Sequence, residues 1–505
     1  MSAIQDILAL DLGAESGRAM LGQFDGERLR LAEVYRFPNV PVRLPGGLHW
    51  DILHLWSQVK QGIALAIRDH APQLASIGID TWAVDFGLLD RQGNLLSNPY
   101  HYRDSRTDGM LDRAFRRVSR AEIFAQTGIQ FLPINTLYQL LAMSIDRSPL
   151  LDIAKTFLTV PDLLNYWLTG QAVCEFTNAT TTQCYNPRQR AWTLEMLQNL
   201  DIPTHIFPAL TAPGTDLGPL QPTVAGEIGL EPGAGPTVIA PACHDTGSAV
   251  VAVPAATPNF AWISSGTWSV VGAEVPEPII NEKSLRYNFT NEGGACDTFR
   301  FSRNVMGLWL VQECRRTWSL QGELYSYDEL TEMASQAEPF LAVIDPDHAE
   351  FFRPGDMPAR VRAFCQRTGQ SVPESKGAIL RCTLEGIALK YRWVLERMEE
   401  MLDYRLEPLH IIGGGTQNHL LSQFTADAID RQVITGPVEA TAAGNILMQM
   451  MALGLISTLD EARQVVRASF PLTRFEPGDR DGWDQAYTHL LGLMQHQGQA
   501  FDRNQ

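Results

Sequence analysis

Ile7-Leu8-Ala9-Leu10-Asp11-Leu12-Gly13-Ala14-Glu15-Ser16-Gly17-Arg18 opens the chain as an apolar run broken by a glycine-centred turn. A second β-rich run, Arg18 to Phe24, follows directly. A third, Arg28 to Phe37, lies beyond Asp25-Gly26, a strong hairpin signal between apolar runs. The pattern of a strand entering a Gly turn returns twice. Phe260 to Ile263 leads into Ser264-Ser265-Gly266-Thr267-Trp268-Ser269, and Leu409 to Ile412 leads into Gly413-Gly414-Gly415-Thr416. Such turns let backbone N–H groups approach phosphate oxygens with no Cβ in the way. The lysines are Lys60, Lys155, Lys283, Lys376 and Lys390, none beside these turns. That excludes the G-x-x-x-x-G-K-[ST] loop and the protein-kinase arrangement with its strand lysine. A dinucleotide dehydrogenase is excluded as well, because the first Gly turn enters a strand where that fingerprint opens a helix.

Outward from these turns the chain reads as a duplicated α/β unit. Asp51 to His70 is predicted as a helix with Asp51 as N-cap and Leu55, Val59, Ile63 and Ile67 on one face. Ala75 to Ile79 follows as a buried strand. Strand Thr237 to Ala240 is predicted to enter a helix, Asp245 to Val253. In the second half, Glu374 to Leu402 reads as a long helix with an apolar stripe, Val433 to Pro437 as a strand and turn, and Ala440 to Leu453 as a helix of small residues and methionine. The Pro- and small-residue-rich stretch Pro241 to Pro258 marks the boundary.

Composition limits the function. The chain has 505 residues, 45% hydrophobic and 19% charged, enough for two or more domains. Its formal net charge of -17 argues against a nucleic-acid partner, which needs basic surface. A local pocket of N–H dipoles and arginine can still take a small anion. No apolar stretch reaches the length of a membrane span. Met1 to Asp6 is polar and acidic where an export signal is basic, so a cytoplasmic location is expected. Seven cysteines without C-x-x-C spacing point to free thiols and no structural zinc. Cys365 and Cys382, bracketing a Pro-containing segment that returns on itself, are the best candidate pair for a disulfide.

Taken in order, a set of motifs resembles the FGGY family of sugar kinases, within the actin- and hexokinase-like ATPase superfamily. They are Asp11-Leu12-Gly13 to Gly17-Arg18, Gly78-Ile79-Asp80-Thr81-Trp82, Tyr102 to Thr107, Gly128 to Pro133, Thr177 to Gln183 and His244-Asp245-Thr246. The rest are Ser264 to Ser269, Asn291-Glu292-Gly293-Gly294, Asn304 to Trp309, Gly413 to Asn418 and Gly436 to Ala440. The resemblance implies an α/β fold of two ribonuclease-H-like domains around a central ATP and sugar cleft. Residues 1–243 would carry the sugar and phosphate loop and 244–505 the nucleotide. It implies ATP-dependent transfer of a phosphoryl group to a sugar, with Mg²⁺, in a monomer or small homo-oligomer. The Thr-Trp-Ala-Val-Asp-Phe and Asn-Ala-Thr-Thr-Thr-Gln runs favour the deoxyketose L-rhamnulose, phosphorylated at C1, over L-fuculose, L-xylulose or glycerol. A non-catalytic ATP-binding sugar sensor is the alternative from another class.

The resemblance assigns roles residue by residue. Asp245 becomes the general base that accepts the proton of the attacking hydroxyl; read alone, it is an N-cap. Asp11 becomes the carboxylate on the magnesium side, acting through water. Ala14, Glu15, Ser16, Gly17 and Arg18 would wrap the phosphates from the first domain, and Thr267 from the second. Gly414 and Gln312 would meet the nucleotide. Ala83, His244, Asp245, Thr246 and Asn304 would contact the sugar. Glu15 replaces a common Ser, so no direct phosphate contact is assigned to its carboxylate, and Ala83 replaces a frequent Gly. Trp82 and Phe86 can pack on a sugar or in a core. Asp80, Asp85, Arg103, Asp104 and Arg106 are expected as one polar network behind the pocket.

Overall fold

The computed structural model describes residues 4–231 and 233–502, with side chains up to residue 495. The opening segment's first three residues, 1–3, lie outside the described residues. The chain forms two units, each discontinuous in sequence. The first comprises Met1–Ala256, Glu274–Phe301 and Ala440–Phe470, and the second Thr257–Ala273, Ser302–Glu439 and Pro471–Gln505.

In the first unit, strands β1 (Gln5–Leu12), β2 (Ser16–Phe24), β3 (Leu29–Pro38), β4 (Ser76–Thr81), β5 (Thr215–Pro219) and β6 (Thr237–Ala240) form a sheet in the order β5-β6-β4-β1-β2-β3. β1, β2 and β3 are an antiparallel meander, while β4 runs parallel to β1 and β6 parallel to β4. β1 is a buried apolar run from Ile7 to Leu12 broken at Asp11, and β4, buried throughout, carries Ser76, Asp80 and Thr81 among its apolar residues. The register sets Asp11 opposite Arg18 on one side and Asp80 on the other.

Helix Ile52–Leu65 starts where expected: Asp51 accepts the His54 N–H at 3.1 Å, and Leu55, Val59 and Ile63 are buried. Its predicted last turn, Ala66–His70, is a π-type turn. Helix Ala440–Ala452 belongs to this unit, and its small residues are explained there. A Cβ on Gly444 would fall 1.7 Å from the carbonyl oxygen of Ser248. Gln449 donates to the carbonyl of Leu8 and accepts from Ser76.

The second unit repeats the plan. Six strands of a seven-stranded sheet, β7 (Ala261–Ser265), β8 (Trp268–Val275), β9 (Phe299–Met306), β10 (Leu409–Ile412), β11 (Val433–Thr435) and β12 (Thr473–Phe475), stand in the order β9-β8-β7-β10-β11-β12. β7 and β8 are antiparallel, and β10 and β11 continue parallel to β7. The long helix, Lys376–Leu402, is buried almost all round from Gly377 to Leu395 where the sequence suggested a stripe. All seven cysteines are free; Cys365 and Cys382 are both buried, and the candidate disulfide between them is not formed. Among the described residues no helix is long and apolar enough to cross a membrane.

Candidate active site

β4 ends at Thr81, whose N–H donates to the carbonyl of Cys243 at 2.9 Å. This joins the segment after β4 to the segment after β6, so that Ala83 and His244-Asp245-Thr246 share one end of the sheet. Asp245 begins helix Asp245–Val251, two residues shorter than predicted, with His244 as its N-cap. Asp245 Oδ1 accepts the Thr246 N–H at 2.6 Å and the Thr246 hydroxyl at 3.3 Å, and lies 3.2 Å from His244 Nε2. Burial would raise this carboxyl, but the His244 and Thr246 bonds outweigh burial and hold it below the usual carboxylate range. It is thus ionised at neutral pH, as a base must be.

Behind this segment sits Glu175, fully buried. Its carboxylate accepts the N–H of Cys243 at 2.9 Å and the Thr177 hydroxyl at 2.6 Å, and that hydroxyl in turn accepts the His244 N–H at 3.1 Å. Burial pushes Glu175 up to about 7, despite these bonds.

The turn carrying Ala83 is strained. Val84 has φ +68°, a region that β-branched residues rarely enter and that costs on the order of 1–3 kcal/mol. The Val84 carbonyl is held there by the Thr136 hydroxyl at 2.6 Å. Next to it, Asp85 accepts from the indoles of Trp50 at 2.6 Å and Trp82 at 3.0 Å, and from Gln139 at 2.9 Å. Burial raises Asp85 to about 6. Trp82 lies against Trp50 with tilted rings and centroids 4.1 Å apart, and Phe86 packs on Phe157. Both side chains are buried.

Asp85, Asp104 and Arg106 form one polar network: Gln139 donates to Asp85 and accepts from the Arg106 guanidinium, and the Arg106 N–H donates to Asp104, which also accepts from the Leu48 N–H. Arg103 lies over the Tyr102 ring. Asp80 stands elsewhere: it lies beside Asp11, with Asn445 donating to Oδ2 at 2.6 Å. Burial first, then the Asp11 charge, raises Asp80 well above the carboxylate range. Asp11 itself is paired with Arg18 at 2.5 Å. In the adjoining turn Gly13 donates to the carbonyl of Ser16, and the Glu15 carbonyl accepts from Asn39. Ala14 and Ser16 are half-buried, Gly17 is buried, and Glu15 points its side chain into solvent.

In the second unit, Thr267, Gln312 and Gly414 line one pocket of about 320 Å³, a volume suited to a small ligand. Leu308, Val311, Leu380 and Leu384 give it apolar walls, with Tyr327 and Asn418 at hand. Gly307 allows the closure of the turn that carries Thr267. A Cβ there would sit 2.8 Å from the carbonyl oxygen of Gly266. The N–H groups of Leu308 and Trp309 donate to the carbonyls of Gly266 and Thr267. Asn304 is half-buried on β9 of the same unit.

Residues 7–252 match the N-terminal domain, and residues 261–453 the C-terminal domain, of the FGGY family of carbohydrate kinases. The chain belongs to that family. It is an ATP-dependent sugar kinase. A rhamnulokinase of Bacteroides thetaiotaomicron is 44% identical over 490 residues, covering 97% of this chain and 99% of that one. A rhamnulokinase of Bacillus subtilis is 40% identical, covering 94% and 96%. Among solved structures, a ligand-bound xylulose kinase from Lactobacillus acidophilus superposes with TM-score 0.83 at 16% identity, over 99% and 100% of the two chains. The ADP complex of Plasmodium falciparum glycerol kinase gives 0.76 at 16%, over 98% of each. The family fold of this kinase is therefore α/β with two domains.

Sequence reasoning assigned no site role to Glu175, Glu292, Arg300 or Tyr327, and placed Asp80 only in the polar network behind the pocket. Glu292 had a signal, since it lies in a quoted motif. Arg300 and Glu175 had none, because their roles depend on burial and on partners remote in sequence.

Proposed function

We propose that this FGGY kinase phosphorylates L-rhamnulose on its C1 hydroxyl, giving L-rhamnulose 1-phosphate and ADP. The choice of sugar is supported by the rhamnulokinases that match nearly its full length. The chemistry rests on one observation above all: Asp245, ionised at the head of a helix, keeps its fixed partners on Oδ1. Oδ2 then takes the proton of the C1 hydroxyl as its oxygen attacks the γ-phosphate and ADP leaves. Little covalent work falls to the protein in such a transfer; positioning and electrostatics supply most of the rate. His244, Thr246, Ala83 and Asn304 orient the sugar, and a hydroxyl that leaves a buried group unpaired in the wrong epimer gives stereochemical choice.

Gly414 and Gln312 take the nucleoside, while Thr267 and the turn from Ala14 to Arg18 take the phosphates. Asp11 and Asp80 fit a magnesium ion: they are hard oxygen donors on adjacent strands, and Asp80 Oδ1 is buried without a hydrogen-bond partner. Among the described residues no three-ligand metal cluster exists. That suits an ion that usually takes one or two carboxylates and fills its shell with water and phosphate. When bound, it would neutralise charge on the ATP phosphates. Six strands stand in matching order in the two sheets, which supports reading both units as ribonuclease-H-like.

Coupled ADP release with L-rhamnulose, L-fuculose, L-xylulose and glycerol tests the substrate. The highest kcat/KM is expected for L-rhamnulose; preference for another member moves the assignment to that sugar, and no release with any sugar defeats the reading. The nucleotide site has its own test. Gly414 lines the pocket, and a Cβ added there meets nothing within 4 Å, so the position accepts a side chain at its root without a backbone clash. Gly414→Leu is expected to raise the KM for ATP by about tenfold or more, equivalent to about 1.4 kcal/mol, with Tm unchanged. An unchanged KM would remove Gly414 from the nucleotide.

A further inference from the structure

We propose that Arg300 is a positioning residue for phosphoryl transfer, fixing the tautomer of His244 so that His244 donates a hydrogen bond to Asp245. The proposal rests on the reading of Asp245 as the base. Its geometric core is a short buried chain. Arg300 is fully buried, with Nε donating to the carbonyl of Gly293 at 2.8 Å and Nη2 lying 2.9 Å from His244 Nδ1. The other ring nitrogen, Nε2, is 3.2 Å from Asp245 Oδ1.

A guanidinium has only donors, so a ring nitrogen facing it at hydrogen-bond distance must offer its lone pair. With Nδ1 as acceptor, the single ring proton of a neutral imidazole resides on Nε2. It then points at Asp245. The opposite tautomer would turn two lone pairs toward each other at Asp245 and two protons toward each other at Arg300.

The competing partner is Glu292. Its Oε2 lies 3.4 Å from His244 Nδ1 and would accept a proton placed there. The same oxygen, however, lies 3.3 Å from Arg300 Nη2, which engages it directly. The charged groups facing the imidazole are thus Asp245, Glu292 and Arg300, with Glu175 acting on Arg300 from behind. The His244 backbone is held by the Thr177 hydroxyl, and the Gly293 N–H is tied to the Thr180 hydroxyl at 2.8 Å. Both ends of the chain are therefore anchored. What Arg300 contributes to the reaction is the choice of the protonated nitrogen, and with it the orientation of the Asp245 carboxylate.

The tautomer is read without turnover, so its failure is distinguishable from failure of the base assignment. Two-bond ¹H–¹⁵N spectra of the ¹⁵N-histidine-labelled full chain near neutral pH would report it, with His244 assigned by the signal lost in His244→Gln. A pyridine-like Nδ1 and a pyrrole-like Nε2 are expected. A pyrrole-like Nδ1, alone or together with a pyrrole-like Nε2, overturns the proposal. In Arg300→Met, Glu292 is left to accept, so Nδ1 should become pyrrole-like. There kcat should fall by about tenfold or more while the KM for ATP stays unchanged, and Arg300→Lys should recover part of both signatures. A fall in kcat with the tautomer unchanged would reduce Arg300 to a packing role. If Arg300→Met does not fold, the spectrum of the unsubstituted protein decides alone.

Discussion

Asp245→Asn is expected to bind ATP as the parent protein does and to lose about 10²- to 10⁴-fold in kcat, the range over which a positioned general base contributes. The substitution is nearly isosteric. The carboxamide oxygen of the variant can still accept the Thr246 N–H that now reaches Oδ1 at 2.6 Å, so the helix start should persist. What disappears is the capacity to take a proton. The parent's pH profile follows from the same site. Burial opposes ionisation of Asp245, but the His244 and Thr246 bonds outweigh it and hold the carboxyl below its ordinary range. Because the base works ionised, kcat should stay level as pH falls toward the usual carboxylate range and drop only below it. ATP binding by calorimetry and single-turnover phosphorylation separate the two steps. Turnover near the parent's would remove Asp245 from the role; loss of ATP binding in a folded variant would show that the residue serves the nucleotide instead.

How far the site could be read beforehand depended on whether its parts are local. The turns at Gly13, Gly266 and Gly413 and the strands before them stand where the sequence places them, because period, glycine and hairpin chemistry are written within a dozen residues. The place of Asp245 at the start of a helix was legible for the same reason, since strand, His-Asp-Thr and helix are contiguous, whereas its role as a base came from the resemblance alone. The place of Asp80 was not legible. Its neighbour in sequence is Asp85, but parallel pairing of β4 with β1 carries it to Asp11, and register across 68 intervening residues leaves no local trace. The chain Arg300–His244–Asp245 is invisible for a related reason. An arginine on a strand reads as exposed until packing leaves it fully buried with three partners.

The long helix shows a different limit. A stripe was legible in Lys376–Leu402, but burial on all sides was not, since Lys390, Arg392 and Glu385 break any uniformly apolar pattern. Those charges are tolerated only because each meets an opposite charge. Sequence shows the charge and hides the partner.

Lys390→Met is the sharpest test of that point, with an expected loss of about 3–5 kcal/mol of unfolding free energy near neutral pH. The Lys390 side chain is 1% exposed, with Nζ 2.9 Å from Asp345 and 3.3 Å from Asp347. Methionine matches its length but supplies no charge. Two carboxylates would remain, with Arg303 at 3.5 Å from Asp347 as the opposing cation. Burial acts to raise Asp347, yet the Lys390 and Arg303 charges and the Met306 N–H hold it below its ordinary value. A carboxyl depressed in the folded state contributes stability above its unfolded pKa and loses it as pH falls through the folded one. The gap between parent and variant should therefore be widest near neutrality and narrow in acid, which urea titrations at both pH values would show. A constant gap would assign the loss to packing. The effect should also reach the nucleotide. Asp347 accepts the Met306 N–H at 2.8 Å, and Gly307, Leu308 and Trp309 then lock the turn that carries Thr267. Loosening that anchor should raise the KM for ATP while the preference among sugars stays as it was. A folded variant with unchanged KM would confine Lys390 to stability.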